Sequence, residues 1–222
     1  MYDTLLQLPL FQGLGKSDFT SIIEKVKFHF HHIESGKTIF TQGETCQQLV
    51  FLLDGKIISH TSNEDLNYQL WETHEGPAVI EPYSLFGMQP HFTATYKAYS
   101  KIKLLTIDKA FVLSDLNEYE IFRINFLNIL SNRCQVINQK LRNSRTGNLK
   151  EKLAEFFMLR CTQTKGEKTL RITMEDLAVL INETRINVSK LLNELHDKGI
   201  ILLRRKEITI PALENLLKEL GY

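Results

Sequence analysis

The chain has 222 residues, of which 43% are hydrophobic and 24% charged, and its formal net charge is +1. This balance is typical of a folded protein with a sizeable core, and it excludes disordered and collagen-like chains. No stretch reaches the roughly 18 uncharged apolar residues of a membrane helix, and no basic segment precedes the short apolar run at the start. We therefore expect a cytoplasmic protein without a membrane partner.

The cysteines, Cys46, Cys134 and Cys161, are odd in number, far apart and without any C-x-x-C pair. This spacing indicates neither a disulfide framework nor a structural zinc site, and iron–sulfur clusters usually take four cysteine ligands. The sequence predicts no cofactor.

The charge is unevenly distributed along the chain. Residues 1–141 carry 12 Lys and Arg against 15 Asp and Glu, a net −3, whereas residues 142–222 carry 15 against 11, a net +4. A basic C-terminal part favours attraction to phosphates.

Residues 16–28 place apolar side chains at helical spacing and predict a short amphipathic helix. From His29 to about Leu105 the pattern changes to short apolar runs separated by glycines or by polar turns such as SNEDLN. Many short strands at near-regular spacing are typical of a barrel or jelly roll. We predict a β-roll sensor domain over residues 1–108.

From Lys109 to about Arg142 there is no glycine or proline, and the helical period of the apolar residues predicts one long helix over 109–142. Two adjacent apolar stripes run along it. A helix packed on one domain needs a single stripe, so the second favours a homodimer, although a thicker core within one subunit is the alternative. The predicted dimer interface comprises Phe126, Ile129, Leu130, Val136 and Ile137.

Residues 143–148, NSRTGN, are small and polar around a glycine, which predicts a hinge. A C-terminal domain follows over residues 149–222. The predicted fold class is α+β: a jelly-roll-like β-roll, a long dimerisation helix and a winged helix-turn-helix.

The helix-turn-helix prediction depends on residues 170–201, LRITMEDLAVLINETRINVSKLLNELHDKGII. Thr173 with Asp176 three residues later predicts a capped first helix. Asn182 suits a left-handed turn, and Thr184 can cap a second helix. Two short helices joined by a tight turn are typical of this DNA-binding motif.

The second helix places apolar residues on one face, which leaves a polar face directed outward. Arginine and lysine suit guanine, asparagine suits adenine, and an outward isoleucine can pack on a thymine methyl. A solvated surface helix is the alternative, but it does not account for an exposed Ile186. The predicted DNA-contacting residues of this helix are Arg185, Ile186, Asn187, Ser189, Lys190 and Asn193.

After Gly199, the run IILL, the basic tip Arg204-Arg205-Lys206 and the run EITI predict a two-stranded wing. Consecutive cations at a hairpin tip would contact phosphates and position the domain without reading sequence.

This order of parts resembles the Crp/Fnr family, the catabolite activator and fumarate–nitrate regulator type of transcription factor. Arg185 and Lys190 fall where the family carries two DNA-contacting arginines, and Ile186 where many members carry a glutamate that accepts from cytosine. The resemblance implies a non-enzymatic transcription regulator with double-stranded DNA, a second copy of itself and RNA polymerase as partners. The Lys and the Ile depart from the pattern, so the family's best-known operator is not expected.

Residues 39–57, IFTQGETCQQLVFLLDGKI, resemble the family's first β-roll signature. The members of this family that bind cyclic nucleotides have a Gly-Glu pair, whose Glu binds the ribose, and later an Arg-Ser or Arg-Thr pair, whose Arg binds the cyclic phosphate. At these positions this chain has Ile80-Glu81 and Phe92-Thr93. Phenylalanine offers no donor to a cyclic phosphate, so we do not expect cyclic AMP as the effector. An apolar ligand and a filled core both stay open. The residues of the predicted effector pocket are Glu81, Phe86, Met88, Phe92, Thr93, Phe122 and Phe126.

The histidines raise two alternative functions. His29 and His31 share a strand face at the spacing that cupin-type metal enzymes use for two ligands, although Glu34 comes too early for the following ligand. A haem-sensing regulator with His74, His91 or another histidine as axial ligand is the other alternative.

Overall fold

The structure is a computed structural model that describes residues 5–143 and 147–222, with residues 139–143 described by their backbone alone. The chain divides into two compact units. The first comprises the residues up to Ile58 together with His74–Cys134, and the second comprises Ser59–Thr73 together with Gln135–Tyr222. This division differs from the predicted bounds, since the chain enters the second unit and leaves it again within one hairpin. Residues 144–146 of the predicted hinge lie outside the described residues.

The part of the chain before residue 119 consists mainly of short strands. Its elements are α1 (Lys16–Lys25), β1 (Phe28–Ile33), β2 (Thr38–Phe40), β3 (Gln48–Asp54), β4 (Lys56–Asn63), β5 (Tyr68–Glu75), β6 (Ala78–Ile80), a 3-10 turn (Pro82–Ser84), β7 (Thr95–Ala98), β8 (Ile102–Asp108), α2 (Lys109–Ser114) and a second 3-10 turn (Leu116–Glu118).

The first unit is the predicted jelly-roll-like β-roll. Four antiparallel strands lie in the order β1-β8-β3-β6, and β2 pairs with β7. Inside, the ring of Phe11 lies 5.6 Å from Phe19, 5.5 Å from Phe51 and 5.7 Å from Phe122. Aromatic rings at these separations bury large apolar areas and attract one another, so this cluster holds the sheet and the surrounding helices together.

The helix predicted over residues 16–28 ends at Lys25, so the prediction is wrong for its last three residues. Val26 already has extended backbone angles, and Phe28 begins β1 by pairing with Ile107. Pairing with β8 satisfies the backbone hydrogen-bonding groups of Phe28, and this tertiary pairing outweighs the local helical pattern of residues 16–28.

The single helix predicted over 109–142 is also wrong, because the structure has α2, the second 3-10 turn and then α3 (Glu120–Asn143). The Ser114 hydroxyl donates to the carbonyl of Ala110, a side-chain bond of the kind that competes with helix continuation. Leu116 is fully buried in the core, and Tyr119 is extended before α3 begins. Neither α3 nor any other helix within the described ranges is long and apolar enough to span a membrane.

The second unit contains the predicted winged helix-turn-helix. Its elements after α3 are α4 (Leu149–Arg160), β9 (Lys168–Arg171), α5 (Met174–Leu180), α6 (Arg185–Asp197), β10 (Leu202–Arg204), β11 (Glu207–Ile210) and α7 (Leu213–Leu220). The helices pack over an antiparallel sheet in which β10, β11, β9 and β5 are neighbours. Its buried core includes Leu70, Leu153, Phe157, Leu177, Leu192, Leu195, Leu213 and Leu216.

Candidate nucleic-acid interface

The first helix of the motif, α5, begins at the predicted cap. The Thr173 hydroxyl accepts from the backbone N–H of Asp176 at 3.0 Å and donates to its carboxylate at 2.6 Å. Leu177 and Ala178 are buried against the second unit's core. The cap satisfies a backbone donor that the helix itself cannot, so it fixes where α5 starts.

A tight turn then leads into α6. Asn182 has a φ of 51°, in the left-handed region that asparagine tolerates, and Glu183 N–H donates to the carbonyl of Ala178 at 2.9 Å. Thr184 caps α6 by accepting from Asn187 N–H at 3.3 Å. A contact that sequence reasoning missed braces this turn, since Lys152 Nζ lies 2.7 Å from Glu183 Oε1.

One face of α6 is buried and the opposite face is open. The buried face comprises Val188, Leu191, Leu192 and Leu195. On the open face Ile186 is 67% exposed, and Arg185, Asn187, Lys190 and Asn193 are exposed as well. Ser189 is half-buried, and its hydroxyl accepts from the amide of Asn193 at 3.4 Å.

Arg185 does not stand free in the unbound protein. Its Nε lies 2.9 Å from Oε1 of Glu175 on α5, and both side chains are mostly exposed. An exposed pair of this kind contributes little to stability, so Arg185 can exchange its partner for a base edge at small cost. Sequence reasoning missed Glu175, since the contact joins two helices and leaves no periodic signal.

The wing is a hairpin of β10 and β11, in which Arg204 lies opposite Glu207. Arg205 and Lys206 form its turn, and Lys206 has a φ of 60°. Arg204, Arg205 and Lys206 are all exposed, and Arg204 Nη1 lies 3.8 Å from Glu207 Oε1. The hairpin turn therefore presents cations to solvent, a geometry suited to phosphate contact.

The predicted dimer residues on α3 fall into two groups. Phe126 and Ile129 are partly buried against the first unit's core, and Leu130 is half-buried. Val136 and Ile137 are exposed. Ile124 and Leu127 are exposed as well. At 100° per residue Leu127, Leu130 and Ile137 share one side of α3 and form an incompletely covered apolar stripe in the single chain.

The predicted effector residues do not form one pocket. Glu81 is buried with a φ of 40°, and its carboxylate accepts from Ser84 Oγ (2.7 Å), Thr93 N (2.9 Å), Thr93 Oγ1 (2.7 Å) and Tyr96 Oη (2.8 Å). Phe92 is buried and stacks on Phe40, with ring centroids 4.3 Å apart. Glu81, Phe92 and Thr93 thus belong to one cluster that is filled by the chain itself.

The other predicted effector residues lie elsewhere. Phe86, Phe122 and Phe126 form a second aromatic cluster, in which Phe126 lies 5.8 Å from Phe86 and 6.2 Å from Phe122. Met88 is completely exposed and lines neither cluster. A separate cleft of about 740 Å³ lies beside Phe92 and includes Cys46, whose thiol pKa burial raises to about 11.

His29 and His31, the predicted metal ligands of the enzyme alternative, each lie beside a polar side chain of β8. His29 Nε2 lies 3.5 Å from Asp108 Oδ2, and His31 Nε2 lies 3.1 Å from the Thr106 hydroxyl. Among the residues that the structure describes, no three His, Cys, Asp or Glu side chains are grouped so that they could hold a metal ion.

The comparisons with known proteins agree with this geometry. Residues 151–219 match the model of the Crp-like helix-turn-helix domain. The chain is 22% identical over 219 residues to the global nitrogen regulator of Synechococcus elongatus, covering 91% of each chain. It is 23% identical over 228 residues to the CRP-like cAMP-activated global transcriptional regulator of Mycobacterium tuberculosis, covering 98% of this chain and 99% of the relative.

Solved structures share the fold. The catabolite activator protein of Thermus thermophilus superposes with a TM-score of 0.53 at 20% identity, covering 96% of this chain and all of that one. A putative Crp/Fnr-family regulator from Eubacterium rectale gives 0.51 at 17% identity, covering 96% and 97%. The fold and the open face of α6 define a winged helix-turn-helix transcription regulator. Residues 151–219 carry a Crp-like helix-turn-helix domain, and the chain is similar over most of its length to regulators of the Crp type; the comparisons favour neither the cupin-like enzyme nor the haem sensor.

Proposed function

We propose that the protein is a homodimeric regulator that binds a near-palindromic DNA site through its two copies of α6. The observation that carries the proposal is the two-sided character of α6, with leucines and a valine buried on one face and Ile186, Lys190 and Asn193 exposed on the other. Arg185 is exposed at the flank of the first turn. Hydrogen-bonding and apolar side chains together on an open face suit base edges in a major groove. The wing cations add phosphate contacts that set the register.

The apolar stripe of α3 supports the dimer. Within it Leu127 and Ile137 are 60% and 42% exposed, although side chains of this type are normally buried in a folded protein. Ile124 and Val136, on other sides of α3, are 47% and 44% exposed. The same helix of a second copy would cover such a stripe with apolar partners. Two copies of α6 would then reach half-sites about one helical turn, roughly 34 Å, apart.

We further propose that any effector is a molecule other than cyclic AMP. By family resemblance Phe92 stands at the position of the arginine that holds a cyclic phosphate, and the Glu81 carboxylate already accepts four hydrogen bonds from the chain. By family resemblance, RNA polymerase is a further partner and the protein has no catalytic role. Because the proposed target is genomic DNA, the proposal assigns the protein to the cytoplasm.

The test is a selection from random duplex DNA with the purified full-length protein and no added ligand. We expect enrichment of one near-palindromic sequence. The matched variant is Leu127→Glu, which places a charge on an exposed part of the α3 stripe. It should remain folded, become monomeric in light scattering and lose the preference for a palindrome over its half-site. A wild-type protein that is monomeric and binds half-sites as tightly as palindromes would refute the dimer.

A further inference from the structure

The wing shares its sheet with a strand from a distant part of the sequence. β5 pairs with β9 in an antiparallel register that runs from Gln69 opposite Arg171 to Glu72 opposite Lys168. β9 also pairs with β11, the second strand of the wing. The tip of the β4–β5 hairpin, residues 59–73, is therefore a structural part of the unit that carries α6 and the wing.

A buried ion pair fixes this strand. Lys168 Nζ lies 3.4 Å from Glu72 Oε1, and the two side chains are 0% and 3% exposed. Lys168 also donates to the carbonyl of Lys165 at 2.6 Å, and the Glu72 carboxylate accepts from the backbone and the hydroxyl of Thr162 at 3.0 Å. Buried charges are tolerated when they are paired and hydrogen-bonded, as these two are, and losing one partner is costly. The hairpin is thus held firmly in the second unit.

The loop of this hairpin, residues 63–67, is called the acidic turn here because it contains Glu64 and Asp65. Asn67 adopts a φ of 52°, and its side-chain amide donates to Asp176 Oδ2 at 2.9 Å. Asp176 lies in the first turn of α5, so this bond attaches the acidic turn to the start of the helix-turn-helix.

The acidic turn and the wing line one groove of about 410 Å³. Glu64 and Asn67 come from the acidic turn, Arg171 comes from β9, and Arg205 and Lys206 come from the wing turn. Arg171 is already paired with Glu207 at 3.0 Å. The wing cations Arg205 and Lys206 therefore share their groove with the Glu64 carboxylate.

We propose that the carboxylates of the acidic turn, with Glu64 in the groove itself, lower the positive potential at the wing cations and so hold down the affinity for DNA irrespective of base sequence. The inference rests on the proposed function. A carboxylate near a phosphate-binding surface repels phosphates and reduces the local positive potential, and both effects weaken as salt rises. Glu64 and Asp65 are exposed, so neutralising them leaves the buried contacts of the hairpin intact.

The test compares full-length wild type with the double variant Glu64→Gln/Asp65→Asn by fluorescence anisotropy on the selected duplex and on an unrelated duplex. We expect both affinities to rise by roughly fivefold at low salt, with the gain shrinking as salt increases. The control is Glu24→Gln/Glu118→Gln, which changes the net charge equally at exposed sites in the first unit. Its affinities should change much less.

A second variant tests whether the bond between Asn67 and Asp176 is needed to position the acidic turn. Asn67→Gly keeps the left-handed backbone accessible but removes the bond to Asp176, so it should also raise affinity on both duplexes. Unchanged or lower affinity for the double variant, or an equal gain in the control pair, would overturn the inference while leaving the proposed function intact. If neither wild type nor the double variant binds any duplex, the proposed function fails and the inference falls with it.

Discussion

The open face of α6 and the Glu81 cluster in the β-roll are two places where the sequence predicts a ligand, and they are built in opposite ways. On α6 the polar groups project into solvent, and Arg185 has only an exposed ion pair to give up. Around Glu81 the carboxylate and the hydroxyl donors Ser84 and Tyr96 belong to buried residues, Thr93 is exposed, and these donors are all already bonded to the carboxylate. The face of α6 is therefore available to a partner, whereas the polar groups around Glu81 already stabilise the folded β-roll.

The largest expected effect follows from removing the carboxylate at the centre of that cluster. Glu81→Ala removes the carboxylate that accepts from Ser84, Thr93 and Tyr96, so we expect a loss of about 3–4 kcal/mol in the free energy of unfolding. Lys190→Ala, at an exposed position of α6, should change it by less than about 0.5 kcal/mol. Urea denaturation measures both. A Glu81→Ala protein as stable as wild type would contradict the stabilising role of the Glu81 cluster.

The next effect separates base reading from phosphate contact. Arg185→Ala should weaken binding to the selected site by about 1–3 kcal/mol and relax the preference for bases near it. Arg205→Ala should weaken binding to every duplex similarly and lower the salt dependence. Quantitative binding to the selected site and to single-base variants distinguishes them. Identical patterns for the two variants would show that the assigned roles are wrong.

A smaller effect on DNA affinity is expected at Ile186. Its side chain is 67% exposed, so it contributes little buried apolar area to the stability of the protein. If it packs on a thymine methyl, Ile186→Ala should lose about 1 kcal/mol on the selected site. Replacing thymines by deoxyuridine should weaken wild type but leave the variant unaffected at that position. Val179→Ala, which alters an equally exposed apolar residue on α5, serves as the control. Equal sensitivity of wild type and Ile186→Ala to deoxyuridine would contradict the contact.

The same comparison explains which features could be predicted from sequence. The caps at Thr173 and Thr184 and the two faces of α6 depend on neighbours within one or two helical turns, so the local pattern was sufficient. The division of the 109–142 helix depends on the burial of Leu116 in a core assembled from distant residues, and composition alone gives no sign of it.

The contacts that prediction missed share this long-range character. The pairing of β5 with β9 and the buried pair Glu72–Lys168 join segments far apart in sequence, and Lys168 is a residue type that is rarely buried. Among the predicted effector residues, Glu81, Phe92 and Thr93 match a family motif, whereas the remaining four are included for their apolar character. The structure instead separates the Glu81 cluster from the Phe86–Phe126 cluster and leaves Met88 exposed.

The smallest expected effect is no response to cyclic AMP. A ligand present at about 100 times its Kd stabilises the folded state by about 2.7 kcal/mol, which a thermal shift would detect readily. Binding here would have to separate the stacked rings of Phe40 and Phe92 and release Glu81 from four hydrogen bonds, without an arginine at position 92 to hold the phosphate. We therefore expect Tm to stay constant over a cyclic AMP titration, whereas the selected duplex raises it. A saturable rise with cyclic AMP would mean that the cluster opens, and the region now counted as core would be a ligand site like the face of α6.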